Sequence, residues 1–129
     1  MYRKAFIERI NKIHNGAFEN IKNIESFPPE AGLRVLIETL ETSAKSGNHA
    51  NIDLAKEFIL RIPEGWLIDH LPQAVERCLF KEQDWEEWEF RRIAEMLKPY
   101  SDAAFMWFVQ YAKQLNNEEV NEAIEDYAV

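Results

Sequence analysis

The sequence contains few of the residues that form tight turns or covalent cross-links. It has 4 glycines, 5 prolines and one cysteine, Cys78, among 129 residues. So few turn-forming residues argue against a sandwich or barrel of many short strands and favour helices. One cysteine excludes an intramolecular disulfide and a multi-cysteine metal site. We therefore expect an all-α fold whose stability comes from side-chain packing.

Long apolar runs are also missing. The first residues, MYRKAFIERINKIH, alternate charged and apolar side chains, and no run of about 18 apolar residues occurs anywhere. This pattern predicts neither a signal peptide nor a membrane span. The default expectation is a cytoplasmic protein that does not interact with membranes.

Positive charge is scarce in the second half of the chain. The net charge is −8; residues 1–64 contain nine Lys/Arg and nine Asp/Glu, whereas residues 65–129 contain six and fourteen. An acidic half disfavours nucleic acid, whose phosphates require cations. It is compatible with a basic protein partner, although a solvated acidic surface also simply favours solubility.

Apolar residues make up 47% of the chain and aromatic residues 12%, so the chain is not disordered. A chain of this length buries roughly two-thirds of its unfolded surface, enough for one core. We expect a single helical domain over residues 1–129.

The N-terminal segment, residues 2–27, has apolar residues three and four positions apart, which predicts an amphipathic helix that caps the domain. Asn15 and Gly16 interrupt it. They either end one helix in a left-handed conformation or bend a single longer one. Pro28 and Pro29 stop this element, and Pro29 suits the first turn of the next helix.

Six further helices are expected along the chain. Pro72 leaves two alternatives for the fourth helix: it either bends a helix over residues 66–80 or starts a shorter one near Leu71. Ser101 or Asp102 is expected to cap the sixth helix. The remaining helices are predicted over residues 29–45, 49–62 and 85–98 and after Asn116, with caps at Asp84 and Asn116 for the fifth and seventh.

The most apolar stretch, residues 103–112, reads AAFMWFVQYA. A helix of this composition must be covered on more than one side. We therefore expect the other helices to be arranged around it.

A weak internal repeat relates the predicted helices. Shifts of 35 and 37 residues superpose their apolar positions, as when Leu36 falls on Leu71 and Leu71 on Phe108. The segments LPQAVERCLF (71–80) and DWEEWEFRRIAEML (84–97) resemble the two helices of a HEAT-like repeat. One similar helix pair would precede these two segments and another would follow them, so the resemblance covers residues 29–128. It implies a short right-handed α-α superhelix of about three helix pairs, usually a protein-binding scaffold and in a minority of cases an enzyme acting on DNA.

Two residues of the fifth helix are unusual. Glu89 falls on its apolar face, where a carboxylate either has a partner or carries a raised pKa and could act as an acid or base. Trp88 falls on the polar face beside Arg91 and Arg92. An exposed Trp beside arginines is typical of interface anchors, but Trp88 could instead pack on a neighbouring helix of the fold.

The sequence shows no other chemistry. His14, His49 and His70 have no partners at metal-ligand spacing, and Cys78 lies on an apolar stripe. No phosphate loop or nucleophile motif occurs. No metal or cofactor is predicted.

The predicted function is non-catalytic binding of another protein. The negative charge of the chain suits a basic partner. A more specific form of this prediction is that the protein resembles the small acidic immunity or antitoxin proteins of bacteria, which neutralise basic partners. The alternatives are a small enzyme using Glu89, and a structural subunit whose Trp88 and Trp107 contribute to a homodimer; the oligomeric state stays open.

The predicted binding surface, called the acidic face below, lies on the second helix of each pair. It comprises Asp53, Glu57, Trp88, Arg91, Arg92, Glu95, Glu118, Glu122 and Glu125, with Lys56 and Arg61 beside them.

Overall fold

The computed structural model describes residues 2–45, 49–80, 87–114 and 118–125, and side chains within 5–44, 50–78, 89–114, 118–119 and 121–122. Within these ranges every regular element is a helix and no strand occurs, which confirms the all-α prediction. The elements are α1 (Tyr2–Ile13), a 3₁₀ helix (Ile21–Ser26), α2 (Pro29–Lys45), α3 (His49–Ile59), α4 (Glu64–Phe80), α5 (Glu87–Leu97), α6 (Asp102–Lys113) and α7 (Glu118–Glu125).

The N-terminal segment is broken at Asn15–Gly16 and is not one bent helix. Helix α1 ends at Ile13, and Gly16 has a φ of 76°, a left-handed conformation that glycine adopts without steric cost. The side-chain amide of Asn20 donates to the Gly16 carbonyl at 2.9 Å. The apolar stripe continues through the break because Ala17, Ile21 and Ile24 are all buried.

Pro72 lies inside one continuous helix, α4, so the alternative of a shorter helix starting near Leu71 is wrong. A proline within a helix removes the hydrogen bond to the carbonyl four residues earlier, here that of Ile68. The Pro72 side chain is exposed. On an exposed side of a helix, water can hydrate the carbonyl that loses its partner.

Helix α2 is the central helix of the described residues. It contacts α1, the 3₁₀ helix, α3, α4 and α5. Its buried side chains include Leu36 and Leu40, and also the polar Thr39, Thr42 and Ser43. The Thr39 hydroxyl donates to the Val35 carbonyl at 2.8 Å, as a buried hydroxyl requires.

Among the described residues the helices are therefore arranged around α2 and not around residues 103–112, although the predicted contacts of that segment with the helices before and after it, α5 and α7, are present. Helix α6 contacts α4, α5 and α7, and buries Phe105 and Phe108. Its opposite side stays open, because Ala103 and Gln110 are exposed and Met106 is 51% exposed. Helix α6 is thus a peripheral helix with one buried side.

The buried apolar side chains form one continuous cluster that extends from Phe6 to Ala112. Near the N-terminus, Phe6 and Phe18 pack on Phe58 with ring centroids 5.5 and 5.2 Å away. In the second half, Phe90 of α5 stacks on Phe108 of α6 at 5.9 Å. The contact of Phe6 with Phe58 joins α1 to α3, whereas that of Phe90 with Phe108 joins two consecutive helices.

The start of α6 follows its local sequence signal, whereas the end of α3 does not. Ser101 caps α6: its hydroxyl accepts a hydrogen bond from the Ala104 N–H at 3.2 Å. Helix α3 ends at Ile59, three residues before the predicted end. The predicted caps at Asp84 and Asn116 lie outside the described residues. The spacing of Val120, Ala123, Ile124 and Tyr127 predicts an inward face for the seventh helix, and these side chains also lie outside the described residues.

Candidate functional site

The part of the acidic face on α3 is solvent-accessible. Asp53 and Glu57 are exposed, and Lys56 lies between them in sequence. The Lys56 Nζ is 3.9 Å from the Glu95 Oε2 of α5. This ion pair places the exposed side of α3 next to that of α5.

The part of the acidic face on α5 and α7 is described for five of its residues. Arg91 and Arg92 are half-buried, Glu95 is exposed, and α7 packs against α5. On α7, Glu118 and Glu122 are exposed. Trp88 and Glu125 belong to α5 and α7, but their side chains lie outside the described residues.

Arg61 has a structural contact of its own beside the acidic face. Its guanidinium carbon lies 5.3 Å from the ring centre of Phe18 and 5.9 Å from that of Phe58. Its Nη2 donates to the Glu19 carbonyl at 3.1 Å. Arg61 therefore joins the end of α3 to the segment that follows α1.

Glu89 is buried, with only 4% of its surface exposed. The enzyme hypothesis requires this carboxylate to face an open pocket. The groove described below is formed by α1, α2 and α4, and Glu89 is not among its lining residues. Glu89 is thus buried and is not part of that groove.

The histidines and the cysteine with described side chains take part in packing. The His14 ring lies 4.4 Å from that of Phe27, and the His70 ring stacks on Trp66 at 4.1 Å while its Nδ1 lies 2.8 Å from the Trp66 carbonyl oxygen. Cys78 is buried. Among the residues whose positions are described, no cluster of His, Cys, Asp or Glu could hold a metal ion.

Two tyrosines titrate abnormally. Burial, with a smaller contribution from Glu64, raises the pKa of Tyr100 to about 12. Burial, followed by the charge of Glu76, raises the pKa of Tyr111 to about 12. The Tyr111 ring stacks on Trp107 of the same helix, with centroids 5.1 Å apart. Both phenols are therefore neutral at physiological pH.

A groove of about 850 Å³, which we call the α1–α2–α4 groove, opens on another part of the surface. Sequence patterns did not reveal it, because its residues come from three helices. Two ion pairs border it: Arg9 with Glu38, and Arg77 Nη1 with Glu30 Oε1 at 2.8 Å. The lining residues are Arg9, Lys12, Ile13, Glu30, Arg34, Ile37, Glu38, Glu41, Glu76 and Arg77.

Comparisons with protein-family models, curated proteins and solved structures found no match to this chain. In the described part of the chain, no helix combines the length and the apolar character needed to cross a bilayer. A proposal about function therefore rests on the geometry and charge of the molecule itself.

Proposed function

We propose that residues 29–128 form a short right-handed superhelix of about three HEAT-like helix pairs, capped by the N-terminal segment. Contacts between α2 and α3 and between α6 and α7 support the first and the third of these pairs. Contacts of α2 with α4, of α4 with α6 and of α5 with α7 suit the stacking of equivalent helices. Such a stack presents the second helices of the pairs on one surface.

We further propose that the protein binds a basic protein partner through the acidic face. The Lys56–Glu95 ion pair is the observation that carries this proposal, because it makes the exposed sides of α3 and α5 one continuous surface. The exposed Glu118 and Glu122 extend that surface through α7, which packs on α5. Exposed carboxylates of this kind raise association rates with cationic partners by long-range attraction.

Exposed carboxylates supply steering and specificity, but tight binding also needs a side chain that becomes fully desolvated. Trp88 is our proposed anchor. It precedes Arg91 and Arg92 by three and four residues on α5, the spacing of neighbours on one helix face. The sharper form of the proposal is an immunity-type or antitoxin-type inhibitor that neutralises a basic protein.

The test is affinity capture of native partners at low salt with the wild-type protein and a variant carrying Glu118→Lys and Glu122→Lys. We expect the wild type to retain a basic protein that elutes as salt is raised, and the variant to lose it. The matched control is Glu25→Lys, an exposed carboxylate on the 3₁₀ helix. A partner retained equally by both variants would contradict the proposed surface, and a toxin gene beside the coding gene would support the inhibitor version.

A homodimeric structural subunit is the second candidate. It is favoured by the exposed side of α6, where Met106 is 51% exposed and Trp107 and Tyr111 are half-buried. Light scattering distinguishes the two candidates. A dimer that Met106→Glu converts to a monomer would support the subunit, and a wild-type monomer would oppose it.

A further inference from the structure

The α1–α2–α4 groove has a defined order of residues along its length, because α1 and α2 run antiparallel. At one end, His14, just after α1, packs on Phe27, just before α2. Further along, Arg9 pairs with Glu38, and its Nη2 donates to the Thr42 hydroxyl at 3.4 Å. Residues of α1 between Arg9 and His14 therefore lie beside α2 residues between Glu38 and Phe27.

Two cations, Lys12 and Arg34, occupy this middle part of the groove. Both are exposed, and both line the groove together with Ile13 and Ile37. Among the described residues neither cation makes an ion pair or a hydrogen bond. The other two cations of the groove, Arg9 and Arg77, are neutralised by Glu38 and Glu30.

We propose that the α1–α2–α4 groove binds a small organic anion that has one carboxylate and an apolar body. The guanidinium of Arg34 offers donors in the fork geometry that suits a carboxylate, and the Lys12 ammonium adds a second charge. Ile13 and Ile37 provide the apolar surface for the rest of the ligand. The groove volume of about 850 Å³ lies within the usual range of small-molecule sites.

The carboxylates of the groove determine which anions it accepts. Glu41 and Glu76 also line it. They repel a ligand with several negative charges, so the groove disfavours polyphosphates and nucleic acid. A monoanion placed at Lys12 and Arg34 avoids most of this repulsion. The site is independent of the acidic face and of the protein partner proposed above.

The test uses 4-phenylbutyrate as the probe, with binding followed by backbone amide chemical shifts in NMR. We expect saturable shifts concentrated on α1 and α2. The amine of the same shape, 4-phenylbutylamine, tests the need for negative charge, and acetate tests the need for an apolar body. Both should bind at least about tenfold more weakly than 4-phenylbutyrate.

The variant Lys12→Gln with Arg34→Gln should weaken 4-phenylbutyrate binding by roughly tenfold or more. The matched control, Lys22→Gln with Lys113→Gln, removes two exposed cations outside the groove and should leave binding within about twofold. Because all four side chains are exposed, thermal unfolding should show both variants folded. No saturable shifts with the wild type, equal binding of the amine or of acetate, or equal binding by the groove variant would each overturn the proposal.

Discussion

The hydroxyl of Tyr100 donates a hydrogen bond to the backbone carbonyl of Ile62, with 2.6 Å between the oxygens. Tyr100 lies in the turn between α5 and α6, and Ile62 lies in the turn between α3 and α4. The bond therefore joins two connections that are 38 residues apart. Both ends of it are removed from bulk water, since Ile62 is 2% exposed and Tyr100 is half-buried.

Replacing Tyr100 with Phe should lower the free energy of unfolding by about 1 kcal/mol, because it leaves the Ile62 carbonyl without this donor. Urea denaturation followed by circular dichroism measures the change. An unchanged midpoint would mean that water replaces the phenol without cost, and would contradict a stabilising role for this bond.

Alkaline pH should destabilise the protein through its tyrosines. The pKa of Tyr100 and of Tyr111 is raised from 10.0 to about 12 in the folded protein. A raised pKa means that the folded state favours the neutral phenol. The resulting stability is fully present below pH 10 and is lost as pH rises through about 12. Unfolding midpoints at a series of pH values should fall across this interval.

Comparison with Tyr100→Phe isolates the contribution of that residue to the pH dependence. The variant cannot ionise at position 100, so the difference in stability between wild type and variant should shrink as pH rises above 10. A constant difference up to pH 12 would show that Tyr100 titrates equally in both states.

Two glycines should respond oppositely to alanine. Gly16→Ala should cost roughly 1–2 kcal/mol, because its φ is +76° and the added Cβ would lie 3.1 Å from the Asn20 Nδ2. Gly65→Ala is the control: it lies in the first turn of α4, and a Cβ there would meet nothing within 4 Å. It should be neutral or stabilising by up to about 1 kcal/mol. Equal effects in thermal unfolding would contradict the left-handed conformation at Gly16.

The cap of α6 should depend on Ser101 more than on Asp102. Ser101→Ala removes the acceptor for the Ala104 N–H and should cost about 1 kcal/mol. Asp102→Ala removes only a favourable charge in the first turn, which is worth about 0.3–1 kcal/mol. Chemical denaturation of the two variants compares these effects. A larger loss with Asp102→Ala would assign the cap to the other residue.

The central position of α2 predicts where truncation is most damaging. Leu36→Ala should cost roughly 2–5 kcal/mol, because Leu36 is fully buried in the central helix. Met106→Ala should change stability by less than about 0.5 kcal/mol, since Met106 is 51% exposed on α6. A reversal of this order would place the core around α6 instead.

Local features were predictable because their causes lie within a few residues. The apolar spacing of residues 2–27 predicts a buried stripe that includes Phe6 and Ile10, and both are buried. Ser101 is one of the two residues predicted to cap α6, and it is the cap. The break at Asn15–Gly16 stayed ambiguous, since a stripe that continues in phase fits either a bend or a break. Pro72 stayed ambiguous because the tolerance of a helix for proline depends on whether the lost hydrogen bond faces water.

Non-local features escaped prediction. Residues 103–112 look central because they are the most apolar, whereas α2 carries Thr39, Thr42 and Ser43 and looks amphipathic. Composition reports how much apolar surface a helix has, but not how many neighbours it contacts. The α1–α2–α4 groove escaped for the same reason, because the pairing of Arg9 with Glu38 joins residues on separate helices.

The sequence by itself determined that this protein is built of helices and where several of them begin and end, because spacing, prolines and caps act over one or two turns. Only the tertiary structure decided which helix is central, that Lys12 and Arg34 line one groove, and that Glu89 is buried. Those properties depend on contacts between residues distant in sequence, and such contacts are selected by the packing of the whole core.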